Sequence, residues 1–192
     1  MYDLIPPNMK AQFNLINKPN QSIKLSVNVI DQTSSKKDLV DYKYNKSVIF
    51  KYSFNIKNSQ YFLDIYSQNT SKNHFKKTII GSFIYDKSIK YSISNVVINT
   101  KLKKDLDPIV HGFLQKDFIY SIYKKNSILT KYKTTFKLSQ NYQSLLKSIN
   151  FLKELVTEPS NIIYPNSFSR RTQSQINKKT VKISTLDKKK LM

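Results

Sequence analysis

Residues Ile149–Phe168 read INFLKELVTEPSNIIYPNSF, and this stretch divides the chain. Its first half continues a helical stripe: Tyr142, Leu145, Leu146, Ile149, Leu152, Leu155 and Val156 recur at three- and four-residue spacing, with Lys147, Lys153 and Glu154 off the stripe. Pro159 stops that helix, because the residue before a proline is pushed out of helical geometry. Asn161 bonds nearby backbone and tolerates turn geometry. Ile162, Ile163 and Tyr164 then return the chain to an apolar surface, and Pro165 fixes its exit through a locked φ. The stretch predicts a helix over 139–158 and a hinge built on Glu158, Pro159, Asn161 and Pro165.

Upstream, the period is mostly that of strands. Ile23, Leu25, Val27 and Val29 alternate with polar residues, as do Val48, Phe50, Tyr52, Phe54 and Ile56. Gln60–Tyr66 gives a third strand after a turn at Lys57-Asn58-Ser59, and a polar, lysine-rich segment separates the first two. Ser67–Lys77 reads as loop or short helix. Thr78–Tyr85 and Ile89–Ile98 are β-rich runs, the latter ending in a strand suited to burial on both faces. Leu106, Ile109, Val110, Phe113, Leu114 and Ile122 return to helical spacing, with Asp107 as N-cap and Pro108 at the first helical position. Lys131–Leu138 reads as a strand, as does Val181-Lys182-Ile183, and Asp187–Met192 as the start of a helix. The fold class is therefore α/β, a mixed sheet with flanking helices. It runs as an irregular arm over 1–22, an α/β domain over 23–138, a linking helix over 139–158 and a short fragment over 159–192.

The chain has 192 residues, of which 39% are apolar, enough for one good-sized core. Its 33 Lys and Arg against 12 Asp and Glu give a formal charge of +21. Such a field attracts phosphates or anionic lipid. Nearly all the cations are lysines, Arg170 and Arg171 being the only arginines, which argues against bidentate, sequence-specific readout. One Ala, two Gly, and many Lys, Asn and Ile are also the composition that A/T-rich coding imposes. No Cys is present, so disulfides and thiolate sites are excluded.

Chemistry is sparse. A two-metal site needs several converging carboxylates, and the densest acids, Asp105, Asp107 and Asp117, are explained at a helix entrance by capping and dipole compensation. His74 and His111 have no His or carboxylate partner at ligand spacing, and Gly81 and Gly112 form no phosphate-cradling loop. No catalytic residue, metal ligand or cofactor is assigned to this chain.

Three segments, in order, resemble the leucyl (cytosol) aminopeptidase family. Asp107–Ser127 is similar to the last helix of that family's N-terminal domain, through Gly112, Phe118, Tyr120, Tyr123 and Lys124. The hinge, an acid, Pro, a small residue, Asn, an apolar pair and a later Pro, is similar to the link between its two domains. Val181-Lys182-Ile183 through Leu191 resembles the first strand and next-helix entry of the catalytic domain. The resemblance implies an N-terminal α/β domain that supports assembly around a catalytic core. The family's two divalent metals, held mainly by Asp and Glu, belong to the catalytic domain, beyond these residues. The chain then reads as a truncated or split member, inert alone, and partnered by a separate metallopeptidase half.

A second reading comes from the charge. Lys103, Lys104, Lys124, Lys125, Arg170, Arg171, Lys178, Lys179, Lys188, Lys189 and Lys190, interspersed with tyrosines, suit contact with a polyanion. On that reading the chain is a basic RNA-binding subunit of a ribonucleoprotein such as an organellar (mitochondrial) ribosome. Its beginning lacks the basic region and apolar run of a secretory signal, and no run reaches the roughly 18 apolar residues of a membrane span. The expected location is cytoplasm or organelle matrix.

Overall fold

The computed structural model describes residues 9–15, 23–31, 38–58, 60–67, 73–100, 103–118, 132–176 and 181–186. The chain forms two compact units, Met1–Ser148 and Ile149–Met192. The first carries β1 (Met9–Leu15), β2 (Lys24–Ile30), β3 (Val40–Tyr44), β4 (Ser47–Lys57), β5 (Gln60–Tyr66), α1 (His74–Lys90), β6 (Asn95–Thr100), α2 (Lys103–Lys116) and β7 (Tyr132–Thr134). α3 (Gln140–Thr157) crosses the boundary, and α4 (Pro165–Gln175) follows in the second unit.

Seven strands form one mixed sheet in the order β3-β4-β5-β2-β6-β1-β7. β2 runs parallel to β5 and β6, and the other pairings are antiparallel. The parallel strands require a crossover, which α1 supplies between β5 and β6. β3 and β4 are joined by Asn45-Lys46, both at positive φ, the turn whose twist matches a tight hairpin.

Strand alternation sorts the sheet into two chemically different faces. Ala11, Phe13, Leu25, Val27, Leu63, Ile65, Val96 and Ile98 are buried on one face, under α1 and α2. Phe13 lies 4.1 Å (ring centroids) from Phe113 of α2, and Phe50 5.2 Å from Phe83 of α1. The opposite face carries Gln12, Asn14, Ser26, Asn28, Asp64, Asn95 and Asn99, with Phe62, Tyr66 and Val97 between them.

The chain's two glycines, Gly81 and Gly112, both serve the crossing of α1 and α2. A Cβ on Gly81 would overlap the Ile109 carbonyl oxygen and lie 2.8 Å from Phe113 N; a Cβ on Gly112 would overlap the Thr78 carbonyl oxygen. Each helix therefore presses its bare backbone onto the other. Beside the crossing, Lys77 Nζ donates to Asp105 Oδ1 at 2.6 Å, with the lysine side chain 2% exposed.

Several expectations are corrected. The arm over 1–22 contains β1, which sits between β6 and β7. Its sequence does alternate, Met9, Ala11, Phe13 and Leu15 against Lys10, Gln12 and Asn14, but the prolines, Asn and Gln around it read as irregular chain. The lysine-rich segment before Asn45 contributes β3. Thr78–Tyr85 is the middle of α1, not a strand: Lys77, Ile80, Gly81, Ile84 and Ser88 form its buried stripe, and Asn73 caps it by accepting from Lys76 N at 3.0 Å. Tertiary burial overrides the β propensity of Ile and Phe there. Of Ile89–Ile98, the first two residues close α1, and β6 starts at Asn95.

α2 starts at Lys103, so Asp107 is not its N-cap and Pro108 lies inside it. Asp107 instead accepts from Ser139 N at 3.1 Å. The helix ends at Lys116, and Ile122 lies outside the described residues. The strand expected over Lys131–Leu138 shrinks to Tyr132–Thr134. Residues 181–186 form no strand, α4 was not anticipated, and 187–192 lie outside the described residues.

Candidate functional site

The hinge is a closed hydrogen-bonded turn. α3 ends at Thr157, and the Pro159 carbonyl accepts from Ile162 N at 2.9 Å and Ile163 N at 3.0 Å. Asn161, expected to make that turn through its side chain, is exposed and makes no side-chain hydrogen bond among the described residues; the carbonyl of Pro159 does its work. Pro165 begins α4 instead of simply directing an exit, which suits a residue lacking the N–H that a first helical turn leaves unused. Tyr164 N donates to Ser167 Oγ at 2.8 Å, and that hydroxyl donates to the Ile162 carbonyl at 2.7 Å, tying the turn to the helix.

Glu158 is the hinge residue whose environment sequence did not reveal. Its side chain is 4% exposed and is held by the guanidinium of Arg171 from α4, one of the two arginines in the chain. Thus Arg171, expected to meet a polyanion, is spent on an internal carboxylate. Arg170 beside it is exposed. The thirteen-residue separation of Glu158 and Arg171 matches no local spacing rule, so nothing in the sequence paired them.

The remaining polyanion candidates are only partly visible. Lys103 and Lys104 form the first turn of α2. Lys124, Lys125, Lys178, Lys179, Lys188, Lys189 and Lys190 lie outside the described residues, as do Tyr120 and Tyr123.

Cross-strand register reveals cations that grouping by runs misses. One row across the polar face reads Lys10, Asn99, Asn28, Asp64, Ser53, and another reads Lys133, Asn14, Asn95, Lys24. Asn28 Nδ2 donates to Asp64 at 2.8 Å, and Asn99 Nδ2 to Asn28 Oδ1 at 3.2 Å. Lysines at both ends of a polar ladder are a surface able to meet phosphates. The alternation Met9-Lys10-Ala11-Gln12-Phe13-Asn14-Leu15 is the signal that, read as a strand, finds this face.

The histidines serve packing. His74 Nδ1 lies 2.7 Å from Tyr142 Oη, and His111 is buried with its ring 5.3 Å from that of Tyr142. Asp117 is buried and accepts from Tyr132 N at 3.1 and 3.3 Å. Among the described residues, no three His, Cys, Asp or Glu converge on a metal-sized site, and no helix is long and apolar enough to cross a membrane. No protein-family model, curated protein or solved structure matches the chain.

Proposed function

We propose that this chain is a leucyl-aminopeptidase-like N-terminal domain with its interdomain hinge, acting in assembly while a catalytic half, on further chain or a separate polypeptide, supplies the two-metal chemistry. The observation that carries the reading is the hinge itself. Its motif residues form a specific construction, a Pro159-centred turn, a proline-started helix and a buried Glu158 clamped by Arg171, in place of a frayed helix end. The mixed α/β unit before it supports the same reading at the level of fold class. The test has two parts. The purified chain, supplied with Mn²⁺ or Zn²⁺, is expected to leave leucine amide intact; measurable turnover would overturn an assembly role. Co-expressed with a leucyl aminopeptidase catalytic domain, it is expected to co-elute as one species, and separate elution counts against the lineage.

A second reading is favoured by the charge of +21 together with the lysine-flanked polar sheet face: a structural RNA-binding subunit of a ribonucleoprotein. It expects RNA affinity that falls steeply with salt and with Lys10→Ala plus Lys133→Ala; affinity insensitive to ionic strength would exclude it.

A further inference from the structure

β3 is shorter than the strand it borders. Its pairing with β4 runs only from Ser47 to Tyr52, so Ser53–Lys57 of β4 bond to β5 on one side and to no described strand on the other. Among the described residues this leaves an edge of about five residues without a strand partner, a row of backbone donors and acceptors roughly 16 Å long. A cavity of about 550 Å³ opens at this edge. Its walls come from both faces of the sheet. Val40, Tyr52 and Phe54 line it from the helix-covered side, and Ser53, Asn55 and Asp64 from the polar side. The cleft thus straddles backbone that has no strand partner among the described residues, which is the shape an added strand requires and a flat stacking platform does not.

Its charge is unlike the rest of the molecule. Asp38 and Asp64 line it, two of only 12 acids in a chain of charge +21, and neither forms an ion pair among the described residues. The cation in the lining, Lys87, stands on the aromatic side, its Nζ 5.0 Å from the Tyr52 ring centroid and 5.3 Å from that of Phe54. A second cation is repelled on that side; on the other, Asp64 attracts it at the Ser53 end, while Lys57 stands on the same face at the far end of the segment.

We propose that Ser53–Lys57 is a strand-addition site for an extended segment of a partner polypeptide whose side chains alternate apolar and basic. Main-chain hydrogen bonds to β4 hold the segment, apolar side chains face Tyr52 and Phe54, and basic ones face Asp64. The site does not depend on the aminopeptidase-like reading, and no hydrolase assay bears on it.

The test uses the full chain and an acetylated, amidated heptapeptide alternating valine and lysine, read by calorimetry and by amide hydrogen exchange. Binding is expected, with slowed exchange at the amides of 53–57. Asp64→Asn, confirmed folded by its circular dichroism melt, is expected to weaken it about tenfold, the loss of one charge pair at low salt. Two N-methylated probes decide the mode. Methylating alternate amides in one register should abolish binding, and in the other register leave it, because only one set faces β4. Equal loss from both registers, equal binding of a valine–glutamate heptapeptide, or displacement of the peptide by oligouridylate overturns the proposal.

Discussion

Two ion pairs set the molecule's two units against each other. In the first unit, Lys77 and Asp105 meet at 2.6 Å beside the α1–α2 crossing, within a core that includes Phe13, Ile80, Leu106 and Phe113. In the second, Arg171 clamps a buried Glu158, yet its own side chain remains 35% exposed, and Leu155 and Glu158 are the only buried residues described. Leu152 and Val156 of the same unit stand 58% and 85% exposed. The first unit is thus held by burial, with its polar pair locked inside. Among the described residues, the second shows turns, caps and a half-wet ion pair in place of such a core. Equal-looking contacts should therefore carry unequal weights.

The largest expected effect is at Lys77. Replacing it by methionine strands Asp105 in a low-dielectric site and should cost about 3–5 kcal/mol in urea denaturation. Lys77→Met with Asp105→Leu should recover most of that loss, since a well-packed apolar pair replaces a desolvated ionic one. A single substitution costing no more than an exposed pair would erase the contrast between the units.

Next come the glycines. Gly81→Ala and Gly112→Ala each push a methyl into the opposing helix backbone and should cost about 3 kcal/mol, at the upper end for overpacking. Because both act on one crossing, the double variant should cost less than the sum. Additive losses, measured the same way, would show that the two positions are not one contact.

A smaller effect is expected at Tyr132, whose hydroxyl donates to the Ile93 carbonyl at 2.5 Å. Tyr132→Phe should cost about 1–2 kcal/mol by leaving that buried carbonyl without its donor. Burial, seconded against the Ser88 hydroxyl by the Asp117 carboxylate, raises the phenol's pKa above its ordinary value. The neutral form is then favoured in the folded state. Its contribution is complete below the unfolded pKa of about 10 and fades as pH rises through the higher folded value. The stability gap between wild type and Tyr132→Phe should hold flat from neutral pH to about 9 and narrow above about 10. A gap that widens with alkali would refute the sign.

The same contrast governs what could be read in advance. β2 and β4 were legible because apolar and polar residues alternate over long runs, β5 because an apolar, aromatic run follows a turn, and α3 because its stripe is unbroken. β1 was hidden because its short alternation, Met9, Ala11, Phe13 and Leu15, sits in a stretch whose Pro6, Pro7, Pro19, Asn and Gln read as irregular chain. α1 was hidden because its buried stripe includes Lys77, Gly81 and Ser88, residues that no apolar pattern counts. The burial of Lys77 and Gly81 depends on α2, a separate helix further along the sequence. At the hinge, the stop at Pro159 was legible locally, while the burial of Glu158 depends on Arg171 thirteen residues away. Local chemistry is written in local sequence; a side chain satisfied by a distant partner is not.

The smallest effect should fall on that distant pair. Glu158→Gln keeps the shape and a hydrogen-bond acceptor but removes the charge facing Arg171. With the guanidinium partly in water, screening should hold the loss below about 1 kcal/mol. Proteolysis gives a more sensitive readout than denaturation, because local opening is governed by local contacts. Trypsin needs an accessible basic residue in an opened segment, and α4 offers Arg170 and Arg171 side by side. Releasing Arg171 from Glu158 loosens the helix from the turn that anchors it. Cleavage after these residues should therefore accelerate severalfold in Glu158→Gln, while the urea midpoint of the first unit stays put. If cleavage is unchanged, the clamp is incidental, and the Pro159 turn and Ser167 hydroxyl alone hold the hinge closed.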